Sequence, residues 1–272
     1  MAKITMKLAT RRAEEIALRI DWTDVLERVN TGLIPEKDGE MTRERFVEMC
    51  AKQILKTGSP VKTSVHSEDT KMHGIISIST SQKVNAFCKI LSACVDLICH
   101  YCYAKMYIGY RSELRVALAY NYILLTQYLL DIEEIPKIYS IFGRIESFGD
   151  LDMEKYGGVT QARNYTRIVR KNKRTRWGWW TKHPEIMQKG INAEGGKPRN
   201  LQCVYSSPKV NTPEDFERIH AKCPCIDKIF TVFEKWFIKE HNIVITCGSR
   251  DCYECGKCYL GTGGHYMNEI KK

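Results

Sequence analysis

Twelve cysteines in a chain of 272 residues carry the most evident chemistry, and eight of them fall in two tight groups. Near the C-terminus Cys247, Cys252, Cys255 and Cys258 follow C-x4-C-x2-C-x2-C spacing. Two-residue steps let neighbouring thiolates converge on one inorganic centre without closing a long loop, and such spacing suits iron–sulfur ligation. A structural zinc ion on the same four thiolates is the rival reading, and four independent buried thiols are the plain one. Earlier in the chain Cys88, Cys94, Cys99 and Cys102 occupy fifteen residues. Three thiolates would hold three irons of a [4Fe-4S] cluster and leave the fourth iron for a small molecule. Spacing leaves the third ligand open between Cys88 and Cys94. Cys50 and Cys203 stand alone and read as core packing, whereas Cys223 and Cys225 flank Pro224 as a loose metal-type pair.

Polar side chains outside the cysteines fall into two sets. Glu146, Asp150, Thr181, Lys182, Ser206 and Ser207 lie at or just past expected strand ends, where a parallel sheet gathers its functional groups. Asp150, Lys182 and Glu146 are the catalytic candidates among them. Ser206-Ser207 before Pro208 reads equally as a cap or turn. Arg163, Arg167, Lys171 and Arg174 recur at helical spacing, so one helix face would offer four cations to a phosphate backbone or simply to water. Trp177 and Trp179 would share one strand face and Trp180 the other, which favours packing over base stacking.

The elements that must position these groups alternate between helix and strand. Leu8 to Arg19, Trp22 to Asn30 and Glu40 to Leu55 carry apolar residues at helical spacing, and Thr57-Gly58-Ser59-Pro60 ends that stretch. Strands are expected at Ile75 to Ser79, Ile138 to Ser147, Arg176 to Thr181, Gln202 to Ser206 and Ile243 to Thr246. Helices are expected at Tyr103 to Leu130, Thr160 to Lys171 and Pro184 to Ile191, and Ile229 to Glu240 reads as either. Cys88 to Cys102 reads as a loop, with a helix directly after it. The pattern implies an α/β fold, a partial or full parallel (β/α) barrel at 59–272, preceded by a helical N-terminal extension at 1–58.

An apolar fraction of 43% and a charged fraction of 27% are ordinary for a globular protein. No run approaches the roughly 18 apolar residues of a membrane span, and Met1 to Thr10 lacks an apolar signal core. A cytoplasmic setting is therefore expected, and there thiols serve metals or catalysis rather than disulfides. A net charge of +10 suits an anionic partner such as nucleic acid.

Several segments together resemble a known family. They are Asn85-Ala86-Phe87-Cys88, Ile98 to Ala104, Arg144 to Asp150, Gln161-Ala162-Arg163-Asn164-Tyr165, Trp180-Thr181-Lys182 and Cys247 to Tyr259. Over about Gly74 to Tyr259 they are similar to radical S-adenosylmethionine (SAM) enzymes and to the phage gene product 88 group. The resemblance implies a SAM-type [4Fe-4S] cluster on Cys88, Cys99 and Cys102, with Cys94 a bystander. It implies a second, auxiliary cluster at the C-terminal cysteines, SAM as cofactor, and an electron donor such as flavodoxin or ferredoxin. Gly149, Asp150, Tyr103 and Ser206 are then the residues expected to contact SAM. The family's C-x3-C-x2-C triplet is replaced here by C-x10-C-x2-C or C-x4-C-x2-C, and Phe148-Gly149-Asp150 stands where Gly-Gly-Glu is usual. The alternative class is a non-catalytic zinc or iron–sulfur protein that binds nucleic acid.

Overall fold

A computed structural model of the chain describes residues 4–68, 70–248 and 251–271. The first three residues of the expected extension and residues 249–250 within the C-x4-C step lie outside the described residues. Four helices come first: α1 Met6–Leu18, α2 Val25–Asn30, α3 Pro35–Asp38 and α4 Arg43–Thr57. The Thr5 hydroxyl caps α1 and the Thr42 hydroxyl caps α4, each accepting from a backbone N–H three residues on. Ala9, Ala13, Ile16 and Ala17 of α1 are buried with Phe46, Cys50, Ala51 and Ile54 of α4. These residues join the same hydrophobic cluster as Ile145, Trp177, Trp179 and Ile229 of the sheet.

The sheet has seven strands: β1 Ser64–Val65, β2 Ile76–Ile78, β3 Phe142–Ile145, β4 Arg176–Thr181, β5 Leu201–Val210, β6 Lys228–Phe233 and β7 Tyr266–Ile270. They stand side by side in chain order, antiparallel between β1 and β2 and parallel at every later pairing. Between them run α5 Ala86–Ala93, α6 Tyr103–Tyr110, α7 Ser112–Gln127, α8 Gly158–Lys171, α9 Pro184–Ala193, α10 Phe216–Lys222, α11 Lys235–His241 and α12 Cys252–Cys255. Of these helices, α7, α8, α9 and α10 bury their apolar residues in one large cluster on one face of the sheet. Trp177 and Trp179 point into the main core with buried residues of α7, α8 and α9. Trp180, one residue on, points the other way into a second cluster with Phe142, Val204, Tyr259 and Met267. All three tryptophans are packing residues, as strand alternation requires. No ladder joins β7 to β1 or β2 among the described residues, so the architecture is a mixed α/β fold on an open, mostly parallel sheet.

Four expectations need correction. The expected helix Tyr103 to Leu130 is two helices broken at Arg111, because the Arg115 guanidinium donates to the carbonyls of Ile108 and Gly109 and closes α6. The cysteine-rich segment is not a plain loop: it contains α5 and a 3-10 turn at Ile98–Tyr101. Ile243 to Thr246 forms no strand. The edge of β6 is taken by β7, and this segment lies along Asn268, whose carbonyl accepts from the Thr246 and Cys247 N–H groups. The α8 helix stops at Lys171, capped by the Asn172 amide, which donates to the Ile168 carbonyl, so Arg174 lies beyond the helix face it was expected to share.

Asp38 and Arg115 tie the helical segment to α7. The guanidinium Nε and Nη2 reach both carboxylate oxygens at 2.5 and 2.7 Å, and both side chains are buried. Burial pushes the Asp38 carboxyl up, but Arg115, Ser112 and the Ile34 N–H outweigh it and hold it at about 2. Breaking a buried pair strands a charge. Asp38→Asn should therefore lower stability by about 3–5 kcal/mol in urea unfolding, against under 1 kcal/mol for the exposed Lys52–Glu48 pair.

Candidate metal and cofactor site

The site is assembled where β2, β3 and β4 end. Thr80 follows β2, Glu146 follows β3, and Lys182 follows β4. Glu146 adopts a positive φ of 58°, which turns its side chain back under the loop. Its carboxylate accepts from Thr80 N and Oγ1, from Gln161 Nε2 at 2.8 Å and from the Tyr165 hydroxyl. Three segments are thus pinned by one buried acid. Gly149 closes over it: a Cβ there would lie 2.8 Å from both Glu146 Oε2 and the Thr80 carbonyl. This glycine is needed for close packing of the chain against itself.

Asp150 is equally committed. Its Oδ1 accepts from Leu151 N and the Thr181 hydroxyl, and its Oδ2 accepts from Lys182 N at 2.9 Å. At most one lone pair of Oδ2 remains for a ligand. The Asp150 carbonyl accepts from Asn85 Nδ2 at 2.7 Å, while Asn85 Oδ1 caps α5 by accepting from Cys88 N at 2.8 Å. Asp152 Oδ1 holds the next N–H, that of Phe87. Through Asn85 and Asp152, the loop after β3 sets the position of α5 and therefore of Cys88. Phe87 in turn stacks on His183 with ring centroids 4.3 Å apart.

Cys99 and Cys102 come from the 3-10 turn and the residue after it. Tyr103 then ties α6 back by donating its hydroxyl to the Ser147 carbonyl. Cys88, Cys99 and Cys102 lie within electrostatic reach of one another and of Lys182 and Asp150. Burial and the Asp150 charge raise the Cys88 thiol well above its ordinary range, and burial raises Cys99 against the pull of Lys182. Burial would discharge Lys182, but its neighbours Cys99, Asp150 and Cys88 outweigh burial and raise it. Lys182 Nζ also donates to Ser206 Oγ at 3.3 Å. Ser206 and Ser207 sit within β5 rather than at its end, where the register with β6 shifts. Cys94 is exposed at the end of α5, away from this group.

The C-terminal four form a second group. Cys258 is pushed up to about 12 by burial and by Cys247, and Cys252 is raised by burial against Lys71 and Arg144. Lys71 Nζ stands 3.2 Å from Cys247 Sγ, and Cys252 N donates to the Lys71 carbonyl. This segment covers the second face of the sheet. A Cβ on Gly178 would lie 2.9 Å from the Cys258 carbonyl, and Tyr259 packs between Phe142 and Trp180. Among the described residues no three Cys, His or carboxylate side chains are placed to hold a single metal ion. Cys50 and Cys203 are core residues as expected, and Cys223 and Cys225 are buried too, with Cys225 against Cys203.

The basic helix face is largely spoken for within the chain. Arg163 and Arg167 both pair with Glu194, and Lys171 donates to the Ile132 carbonyl. No helix among the described residues is long and apolar enough to cross a membrane. Sequence reasoning passed over Thr80, Asn85 and Asp152 as site residues. Their signal was available only as isolated polar residues beside helix starts.

Burial pushes the Glu146 carboxyl up to about 7 despite the hydrogen bonds from Tyr165 and Thr80. The folded state then binds a proton that the unfolded chain has already released. Its contribution to stability is present in acid and is lost as pH rises from the unfolded value through 7. Urea midpoints between about pH 5 and pH 8 should carry this slope, worth roughly 3 kcal/mol at most, and Glu146→Gln should flatten it whatever it does to the mean.

No curated protein and no solved structure matched the chain. A family model did: the one described as Gene product 88 matches residues 51–268, from α4 to β7, and the chain belongs to that family.

Proposed function

We propose that this chain is an iron–sulfur enzyme of radical SAM type, with Cys88, Cys99 and Cys102 holding the SAM-type [4Fe-4S] cluster. Cys247, Cys252, Cys255 and Cys258 hold an auxiliary one. The observation that supports the reading is that Cys88, Cys99 and Cys102, from two segments, lie within electrostatic reach of one another and of Asp150 and Lys182 at the strand ends. α5 supplies Cys88, the following turn supplies Cys99 and Cys102, and exposed Cys94 is left out. A single zinc ion would draw its ligands to about 2.3 Å from one point, whereas cluster thiolates each take a separate iron. The open sheet, read as a partial barrel, puts the mouth where such folds bind ligands.

The buried charges fit an anionic centre. Lys182 beside the first group and Arg144 beside the second, with Lys71 (itself paired with Glu269) near Cys247, would offset the negative charge that thiolates acquire when metal displaces their protons. When bound, the cluster would supply the electron that cleaves SAM. Lys182 and Ser206 line the mouth as donors, and Asp150 holds Lys182 and Thr181 in place. Asp150 is thus chiefly a positioning residue. Asn at 150 would set an amide N–H against one of its three donors, so loss of SAM affinity in Asp150→Asn would not by itself identify a ligand.

Protein purified without oxygen should be brown, with iron and sulfide near equal. Stoichiometric zinc without sulfide would sink the proposal. Replacing Cys99 and Cys102 together by Ala should remove one cluster and abolish release of 5′-deoxyadenosine on reduction. Replacing Cys255 and Cys258 should remove the other and leave SAM binding measurable. A double variant that stays folded but loses all iron would mean a single shared centre.

A further inference from the structure

Arg144 projects from β3 onto the sheet face that carries Trp180, while its neighbour Ile145 enters the main core. Its guanidinium lies 4.1 Å from the Trp180 ring centroid, and Nη1 approaches the Met72 sulfur, a weak acceptor, at 3.0 Å. Its Nε is buried with no hydrogen-bond partner. The groups whose charge it feels most are Tyr103, Tyr259, Cys258 and Cys252, with no carboxylate among them. An arginine fork in such a place normally grips a carboxylate or phosphate through two parallel N–H bonds, and an unmade buried donor is costly. The guanidinium over the Trp180 ring also hydrogen-bonds the Tyr259 hydroxyl, which leaves Nε as its unmet donor.

Its surroundings fix where that donor lies. Tyr103 bonds to the Ser147 carbonyl above the first cysteine group, and Tyr259 packs on Trp180 beside the second. Arg144 therefore stands between the two thiol groups. His66 joins it, with Nε2 3.2 Å from Ser147 Oγ. Burial and the nearby guanidinium hold His66 at about 4, so it offers a neutral hydrogen-bonding ring and no competing charge.

We propose that Arg144 anchors an anion site that takes the carboxylate of the substrate between the two cysteine groups, through its unpartnered Nε. The two-centre reading decides what the substrate is held against; the anion site itself stands on Arg144, Trp180 and Met72.

The test titrates succinate into full-length, anaerobically purified protein by calorimetry, with iron and sulfide counted on the same sample. Saturable millimolar binding is expected, weakened at least tenfold in Arg144→Gln and partly kept in Arg144→Lys, with thermal midpoint and metal content unchanged. Absence of saturable binding, or equal binding in Arg144→Gln, would overturn the site. So would loss of metal from Arg144→Gln, because the guanidinium would then be only a counter-charge to the cysteines. Repeating the titration with SAM at saturation separates the sources of carboxylate: additive binding supports a substrate, and competition would overturn that assignment. Arg144-dependent binding in protein without iron would uphold the site and sink the two-centre reading. Iron-replete protein that ignores succinate would do the reverse.

Discussion

The mouth of this sheet depends on one buried acid. Glu146 accepts hydrogen bonds from the segment after β2 and from two side chains of α8, while sitting itself at the end of β3. A carboxyl group taken out of water needs its partners, so none of these segments can drift without stranding it. The same loop then passes the constraint on. Gly149 lets the chain close over Glu146, Asp150 fastens the end of β4, and the Asp150 carbonyl fastens Asn85. The cysteine helix is thus located by a chain of contacts that begins at the residue directly after β3. Order at the cysteines is inherited from order at the carboxylates.

That dependence explains why the two cysteine groups differ in architecture. The first is presented by a short helix, a 3-10 turn and a helix start, all hung on strand-end loops, where backbone N–H groups are capped one by one. The second is laid flat on a sheet face and held by aromatic packing of Phe142, Trp180 and Tyr259. Removing a cap at Asn85 would release one ligand segment, whereas opening the aromatic cluster would release the whole C-terminal group.

Much of the scaffold was legible because it follows from local periodicity. The Arg176 to Thr181 strand was recovered to the residue, and alternation assigned Trp177 and Trp179 to one core and Trp180 to the other. What escaped was set by partners far away in sequence. Ile243 to Thr246 has the composition of a buried strand, yet the edge it would need is occupied by Tyr266–Ile270. Arg163 and Arg167 form a basic stripe on paper, and only the fold brings Glu194 beneath them. Glu146 and Asp150 were found as strand-end carboxylates, but their side chains turn inward to hold the loops rather than outward to a ligand. Cys88 and Cys94, which spacing did not separate, differ in setting: Cys88 lies in the first turn of α5 under the Asn85 cap and within electrostatic reach of Cys99, and Cys94 lies exposed at the helix end.

Charge balance ties the scaffold to its chemistry. Several arginine and lysine side chains elsewhere in the chain have carboxylate partners: Arg115 has Asp38, Arg163 has Glu194, Lys197 has Asp227. Near the cysteines the rule changes. Lys182 and Arg144 are drawn inward; Lys182 has the Asp150 carboxylate beside it as well as thiols, and the titratable groups nearest to Arg144 are tyrosines and thiols. A protein keeps a cation in such a place only if something anionic completes it, since an uncompensated buried charge costs several kcal/mol. Protonated thiols do not supply that compensation, and burial keeps these thiols protonated. The buried cations and the cysteines are therefore close neighbours in this fold, with the Asp150 carboxylate beside Lys182.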